Sequence, residues 1–175
     1  MDSRAPLFLQ RRHLLVALAA LPMAAQAASE PLSGLKRYGS GEYRRFGFLV
    51  YEATLWAADN PLQPPLALQL TYKRPIKGEA ISEASVNEIR ALGLASESQL
   101  KRWGELMRKI FPDVQPQDSI LGLYQADGAS FYWGQRLLAT VPEPEFARAF
   151  FSIWLDSKTS APQLRAALLQ KNPAP

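Results

Sequence analysis

Arg44-Arg45-Phe46-Gly47-Phe48-Leu49-Val50-Tyr51-Glu52-Ala53-Thr54-Leu55-Trp56 is the stretch on which the reading of this chain turns. Aromatic and branched residues dominate it, which is the composition of a strand rather than a helix. Alternation puts Phe46, Phe48, Val50 and Trp56 on one face, and Arg45, Gly47, Leu49, Tyr51, Ala53 and Leu55 on the other. Both faces are largely apolar, so the expectation is a central strand covered on both sides. An arginine pair at its entry costs solvation unless an anion meets it. Arg44 and Arg45 are therefore candidate anchors for a carboxylate, and only one can face a given side of the sheet because neighbours alternate.

Upstream, Gly39-Ser40-Gly41 reads as a turn that separates Leu35–Tyr38 from this strand. Downstream, the prolines of Asn60-Pro61-Leu62-Gln63-Pro64-Pro65 cannot join a ladder. Leu66, Leu68, Leu70 and Tyr72 then alternate with Ala67, Gln69, Thr71 and Lys73 as a half-buried strand. A helix is expected over Ser82–Leu92, capped by Ser82 and stopped by Gly93. Ser96-x-x-Gln99 is a capping box opening a helix with Leu100, Trp103, Met107, Ile110 and Phe111 on one stripe, ended by Pro112. Ser119–Tyr124, Ser130–Trp133 and Leu137–Val141 form a meander turned at Asp127-Gly128 and Gly134-Gln135. Pro144 opens a helix with Phe146, Phe150, Ile153 and Trp154 inward, and Ser160-x-x-Gln163 caps a last helix carrying Leu164, Leu168 and Leu169. Runs of strands alternating with runs of helices predict an α+β fold, an antiparallel β-sheet backed by a layer of helices.

The start of the chain reads as an address rather than as part of the fold. Arg4, Arg11 and Arg12 precede the apolar run Leu14–Pro22, and Ala25-Gln26-Ala27 fits a small-residue cleavage site. The expectation is a signal peptide over residues 1–27 and a single domain over 28–175, periplasmic or otherwise exported. The Sec route is favoured over the twin-arginine route, because Gln10 stands where a serine usually precedes the pair. No later stretch has the roughly 18 apolar residues that a membrane span needs.

Removing residues 1–27 takes three arginines and one aspartate from the 20 basic and 16 acidic residues, leaving 17 against 15. That balance gives no argument for a nucleic-acid partner. The chain has no cysteine, which excludes disulfides, thiol nucleophiles and thiolate metal sites. The one histidine, His13, lies in the signal, so Ser-His-Asp hydrolysis and histidine-held zinc are excluded from the mature chain. No cofactor or metal is expected.

Several further motifs, taken together, identify a family. Beside Gly47–Trp56 stand Trp103-x-x-x-Met107, Phe111-Pro112-Asp113-Val114, Phe131-Tyr132-x-Gly134, Phe146–Asp156 and Thr159-Ser160-Ala161-Pro162-x-Leu164-Arg165-x-x-Leu168-Leu169. In these the chain resembles the bacterial chalcone isomerase-like family over nearly all of its mature length. The resemblance implies an antiparallel sheet backed by helices, with a ligand cleft between them. It implies one of two behaviours. Plant chalcone isomerases close a flavanone ring by adding a phenolate to an enone, whereas non-catalytic relatives hold a fatty-acid carboxylate with an arginine and a tyrosine.

The enzyme's polar residues carry over poorly. Its asparagine matches Asn87, but its active-site tyrosine falls at Ala80, its threonine at Phe46 and its final serine or threonine near Phe146. Arginine persists at Arg44 or Arg45, with Arg37 the alternative if the comparison carries a gap. The first reading is therefore a binding protein for a small amphipathic carboxylate such as a fatty acid, with Arg44, Arg45, Tyr51, Tyr72 and Asn87 as ligand-binding candidates. An isomerase of chalcone isomerase type, using Arg45, Tyr51 and Asn87, is the alternative. A structural protein of the envelope with a filled core is the third. Arg45 and Tyr51 would stand ~20 Å apart on one extended strand, too far to grip one carboxylate together.

Overall fold

A computed structural model describes residues 30–170. The expected signal peptide and its cleavage after Ala27 lie outside the described residues. The chain runs β1 (Lys36–Arg45), β2 (Phe48–Ala57), β3 (Leu66–Tyr72), α1 (Gly78–Leu92), α2 (Glu97–Ile110), β4 (Ser119–Gln125), β5 (Gly128–Trp133), β6 (Arg136–Val141), α3 (Pro144–Leu155) and α4 (Pro162–Leu169). The six strands form one antiparallel sheet in sequence order. The α+β expectation and the alternation of strand runs with helix runs both hold.

The boundaries near the N-terminus do not. Gly39-Ser40-Gly41 is not a turn but the middle of β1. Its glycines serve a close approach, because a Cβ at Gly39 would run into the Leu168 carbonyl of α4 and one at Gly41 would lie 2.7 Å from the Ala167 Cβ. The turn falls instead inside the stretch read as one strand. Phe46 (φ 51°) and Gly47 (φ 82°) are both left-handed, and Arg45 pairs with Phe48 across them. Two central residues with positive φ are the pattern of a hairpin turn whose twist suits the flanking strands.

Coverage on both faces is also corrected. Ala53 and Leu55 of β2, Leu68 and Leu70 of β3, and Phe131 of β5 are buried beneath the helices. The other face carries Glu52, Thr54, Gln69, Thr71 and Ser119, which are half-buried or exposed. The second face looked apolar because Phe46 and Phe48 were counted on it, and they lie in the turn and just beyond it, 87% and 60% exposed.

Two helix starts differ from expectation. Lys77 is the N-cap of α1, and its side chain makes no cap bond. Asp113 performs the task from 35 residues away, accepting from the Gly78 N–H at 2.9 Å and from the Lys77 ammonium at 2.6 Å. Ser82 is buried inside the helix and donates back to the Gly78 carbonyl. Ser160 caps nothing. Ala161 is the N-cap of α4, and Thr159 organises the entry by donating to the Ile153 carbonyl and accepting from the Ala161 N–H. The Ser96–Gln99 box forms in full, and Gly93 ends α1 in the left-handed conformation. Trp103, Met107, Phe146, Phe150 and Trp154 fill the layer between sheet and helices, with Trp103 edge-on to Phe146 at 5.6 Å.

Candidate functional site

The helices do not close completely over the sheet. A cleft of about 500 Å³ remains between the β1–β3 end of the sheet and helices α1 and α3. That volume lies in the range of roughly 300–1,000 Å³ usual for small-molecule sites. Leu68, Leu70, Ile120 and Phe131 form its floor, and Ile81, Ala84, Phe150 and Ile153 its roof. The deep part is therefore apolar.

Its polar groups gather toward one end, and the strand register explains why. Tyr43 pairs with Tyr51, and Tyr51 with Tyr72, so one tyrosine from each of three adjacent strands stands in a row on the cleft face. Tyr43 stacks on Tyr51 at 4.9 Å, and Tyr51 meets Tyr72 edge-on at 6.1 Å. The Tyr51 hydroxyl accepts from the Trp154 indole N–H of α3 at 3.0 Å, which ties sheet to helix across the cleft. Its own proton stays available for donation. Burial pushes the Tyr51 hydroxyl well above the ordinary tyrosine range, the Trp154 hydrogen bond opposing this only in part. Burial alone raises Tyr72. Both are therefore neutral hydrogen-bond donors at physiological pH.

Arg45 lies at the mouth, beyond Tyr43 on β1, and lines the cleft with the tyrosines. Because the chain turns at Phe46-Gly47, Arg45 and Tyr51 sit on adjacent strands rather than at two ends of one. The ~20 Å separation expected of an unbroken strand is replaced by a diagonal cross-strand relation of roughly 7–8 Å between backbones. Arg44 points elsewhere. Its guanidinium holds Glu42 at 2.8 Å and reaches the Gly47 carbonyl, and it is not among the cleft residues. Arg37 donates to Ser40 and is likewise not in the cleft lining. Asn87 reaches the rim from α1, where its carbonyl oxygen accepts from Arg90 at 3.0 Å. Of the residues proposed from sequence, Arg45, Tyr51, Tyr72 and Asn87 thus share one cleft and Arg44 does not.

Tyr43, Ser85 and Glu88 also line the cleft and were not singled out from sequence. Tyr43 was hidden by the misplaced turn, since its pairing with Tyr51 exists only if β1 continues past Gly41. Ser85 and Glu88 follow Ile81 at the helical spacings i+4 and i+7, a signal that was available. Among the described residues no group of three His, Asp or Glu side chains is placed to hold a metal ion, and no helix is long and apolar enough to cross a membrane.

A fatty-acid binding protein of Arabidopsis thaliana shares the architecture, with a TM-score of 0.61 at 10% sequence identity, over 78% of this chain and 87% of that one. An uncharacterized protein of Haemophilus influenzae is 27% identical over 147 residues, which is 82% of this chain and 72% of the relative. The profile of the chalcone isomerase-like family matches residues 19–170. With a six-stranded antiparallel sheet, four helices and a cleft between them among the described residues, the chain belongs to the chalcone isomerase-like family.

Proposed function

We propose that the protein binds a small amphipathic carboxylate, such as a fatty acid, in this cleft and does not catalyse ring closure. The carboxylate sits at the mouth against the Arg45 guanidinium, within reach of the Tyr51 and Tyr72 hydroxyls, and the tail lies along Leu68, Leu70 and Phe150. The observation that carries the reading is the polarity gradient of the cleft, with an arginine and a tyrosine row at one end and an aliphatic and aromatic wall beyond. It matches the two ends of such a molecule. That the Arabidopsis protein of the same architecture is a fatty-acid binding protein agrees with it. A domain with a filled core, the envelope-scaffold alternative, fits a cleft beside Arg45 poorly.

Loss of catalysis is supported by the positions to which the enzyme's polar residues correspond. Ala80 lines the cleft with a methyl group, Phe46 projects into solvent at the turn, and Phe146 is fully buried against Trp103 and Phe131. None supplies a hydroxyl.

Export remains part of the proposal. Intact-mass measurement of protein recovered from the envelope fraction is expected to give a chain beginning at Ala28. A chain retaining Met1 in the cytoplasm would remove it.

The test of binding is purification without detergent, followed by solvent extraction and mass spectrometry. The expected result is a co-purified fatty acid near one per chain. A clean extract, together with no uptake of added oleate, would overturn the assignment.

A further inference from the structure

The turn at Phe46-Gly47 is costly in a way that folding does not explain. A bulky side chain with positive φ is a backbone outlier, and asparagine is the residue that this position of the turn prefers. Phe46 holds φ 51° while leaving its ring 87% exposed, so the core gains nothing from it. Phe48, directly after the turn, is 60% exposed. A cation lies over each ring, Arg45 over Phe46 at 5.4 Å and Arg74 over Phe48 at 4.7 Å. Three acids are already matched, and among the described residues Glu88, which lines the cleft, forms no ion pair with either arginine. Glu42 is held by Arg44, Glu52 by Lys73, and Asp113 by Lys77. Among the described residues Arg45 and Arg74 form no ion pair.

We infer that the β1–β2 turn is a docking tip for an anionic lipid bilayer. Phe46 and Phe48 enter the interfacial layer, where aromatic rings partition well, and Arg45 and Arg74 meet the headgroup phosphates. Exposed rings alone would fit any apolar partner. Two arginines without acidic partners, stacked over those rings, select a surface that is apolar beneath and anionic above. Arg45 also lines the cleft, so docking would hold the cleft mouth against the membrane. The docking stands on the turn. It does not depend on the ligand proposed above.

The absence of cysteine makes a site-specific test clean. The Phe48→Cys variant of the full chain, labelled with the polarity-sensitive dye NBD, is mixed with vesicles of equimolar phosphatidylcholine and phosphatidylglycerol. Leu62→Cys, in the loop at the other end of β2, is the control, and it reads separately any attachment through residues 1–29. Dye at position 48 should shift to the blue and brighten, and dye at position 62 should not. Added Phe46→Asn, which suits the turn and so keeps the hairpin, should weaken the response roughly tenfold. Arg74→Gln should weaken it roughly fivefold, and both losses should exceed any effect on oleate uptake from solution. A folded protein with no shift at position 48 overturns the inference. So does an equal shift at position 62, an equal response to pure phosphatidylcholine, or a shift without vesicles that grows with protein concentration and so marks a second copy. A negative vesicle result with oleate binding intact removes the docking alone.

Discussion

Arg45→Gln is the substitution that bears hardest on the proposed site, and Arg44→Gln is its internal control. The two arginines are adjacent in sequence, yet only Arg45 lines the cleft, and Arg44 is held by Glu42 at 2.8 Å outside it. A hydrogen bond to a charged group contributes about 1.5–3 kcal/mol. Arg45 stands at an exposed mouth where water competes, so the lower figure applies, about 1.5 kcal/mol, or slightly more than tenfold in affinity. Isothermal titration with oleate at pH 7.5 should therefore show Arg45→Gln weaker by about tenfold, and Arg44→Gln within about twofold of wild type. Repeating the titration with oleyl alcohol separates charge recognition from packing. The alcohol has no carboxylate, so Arg45→Gln should bind it as wild type does. Equal losses in both variants, or an equal loss for acid and alcohol at Arg45, would refute the anchor and return the arginines to being a solvated strand end.

Three other outcomes follow from the packing and the electrostatics. Gly39→Ala should lower stability by about 1–3 kcal/mol in urea unfolding, because its Cβ would meet the Leu168 carbonyl and push α4 off β1; an unchanged midpoint would mean the helix rides freely. Glu143 accepts from Arg102 and from the buried Trp103 indole, and these hydrogen bonds hold its carboxyl below the usual range. A depressed carboxylate stabilises the fold above its unfolded pKa near 4 and loses that contribution as pH falls through the folded value. The urea midpoint should therefore drop on acidification below about pH 4, and less steeply in Glu143→Gln than in wild type. Incubation with a chalcone at neutral pH should show decay of the enone absorbance at the rate in buffer alone; a faster decay that Tyr51→Phe abolishes would establish the isomerase reading instead.

Much of the fold was legible because its signals are local. The Ser96 box, the Gly93 stop and the alternation of Leu66, Leu68, Leu70 and Tyr72 each depend on neighbours within a few residues, and each appears where expected. The misreadings have a common cause, which is that a distant element sets the local demand. Gly39 and Gly41 look like a turn, but what requires them is α4, whose backbone meets Gly39 and whose side chains meet Gly41 more than a hundred residues later. The N-terminus of α1 lacks a cap of its own because Asp113 supplies one from beyond α2. The true turn carries a phenylalanine, which no turn propensity would select. That single shift hid Tyr43 and separated Arg45 from Tyr51, so the components of the site could be named but their assembly could not. The resemblance carried the cleft itself, because no periodicity says whether a sheet and its helices leave a space.

What the cleft can do chemically is set by the protonation of its tyrosines. Ring closure of the chalcone type needs an anion stabilised and a proton moved. Arg45, Tyr51 and Tyr72 suit the first task, since each offers a donor toward the mouth. They do not suit the second, because burial raises both tyrosines far above neutrality, and neither can act as a base at pH 7. Residues 28–175 contain no histidine to take that role. Glu88 at the rim is the remaining carboxylate among the cleft residues, and it is half-buried on the helix side. A site with donors and no tuned base suits the proposed role, in which an anion is held and not turned over. Under the proposed function, the same features that would have made an oxyanion hole, placed beside a long apolar wall, serve to hold a carboxylate whose tail enters the cleft first.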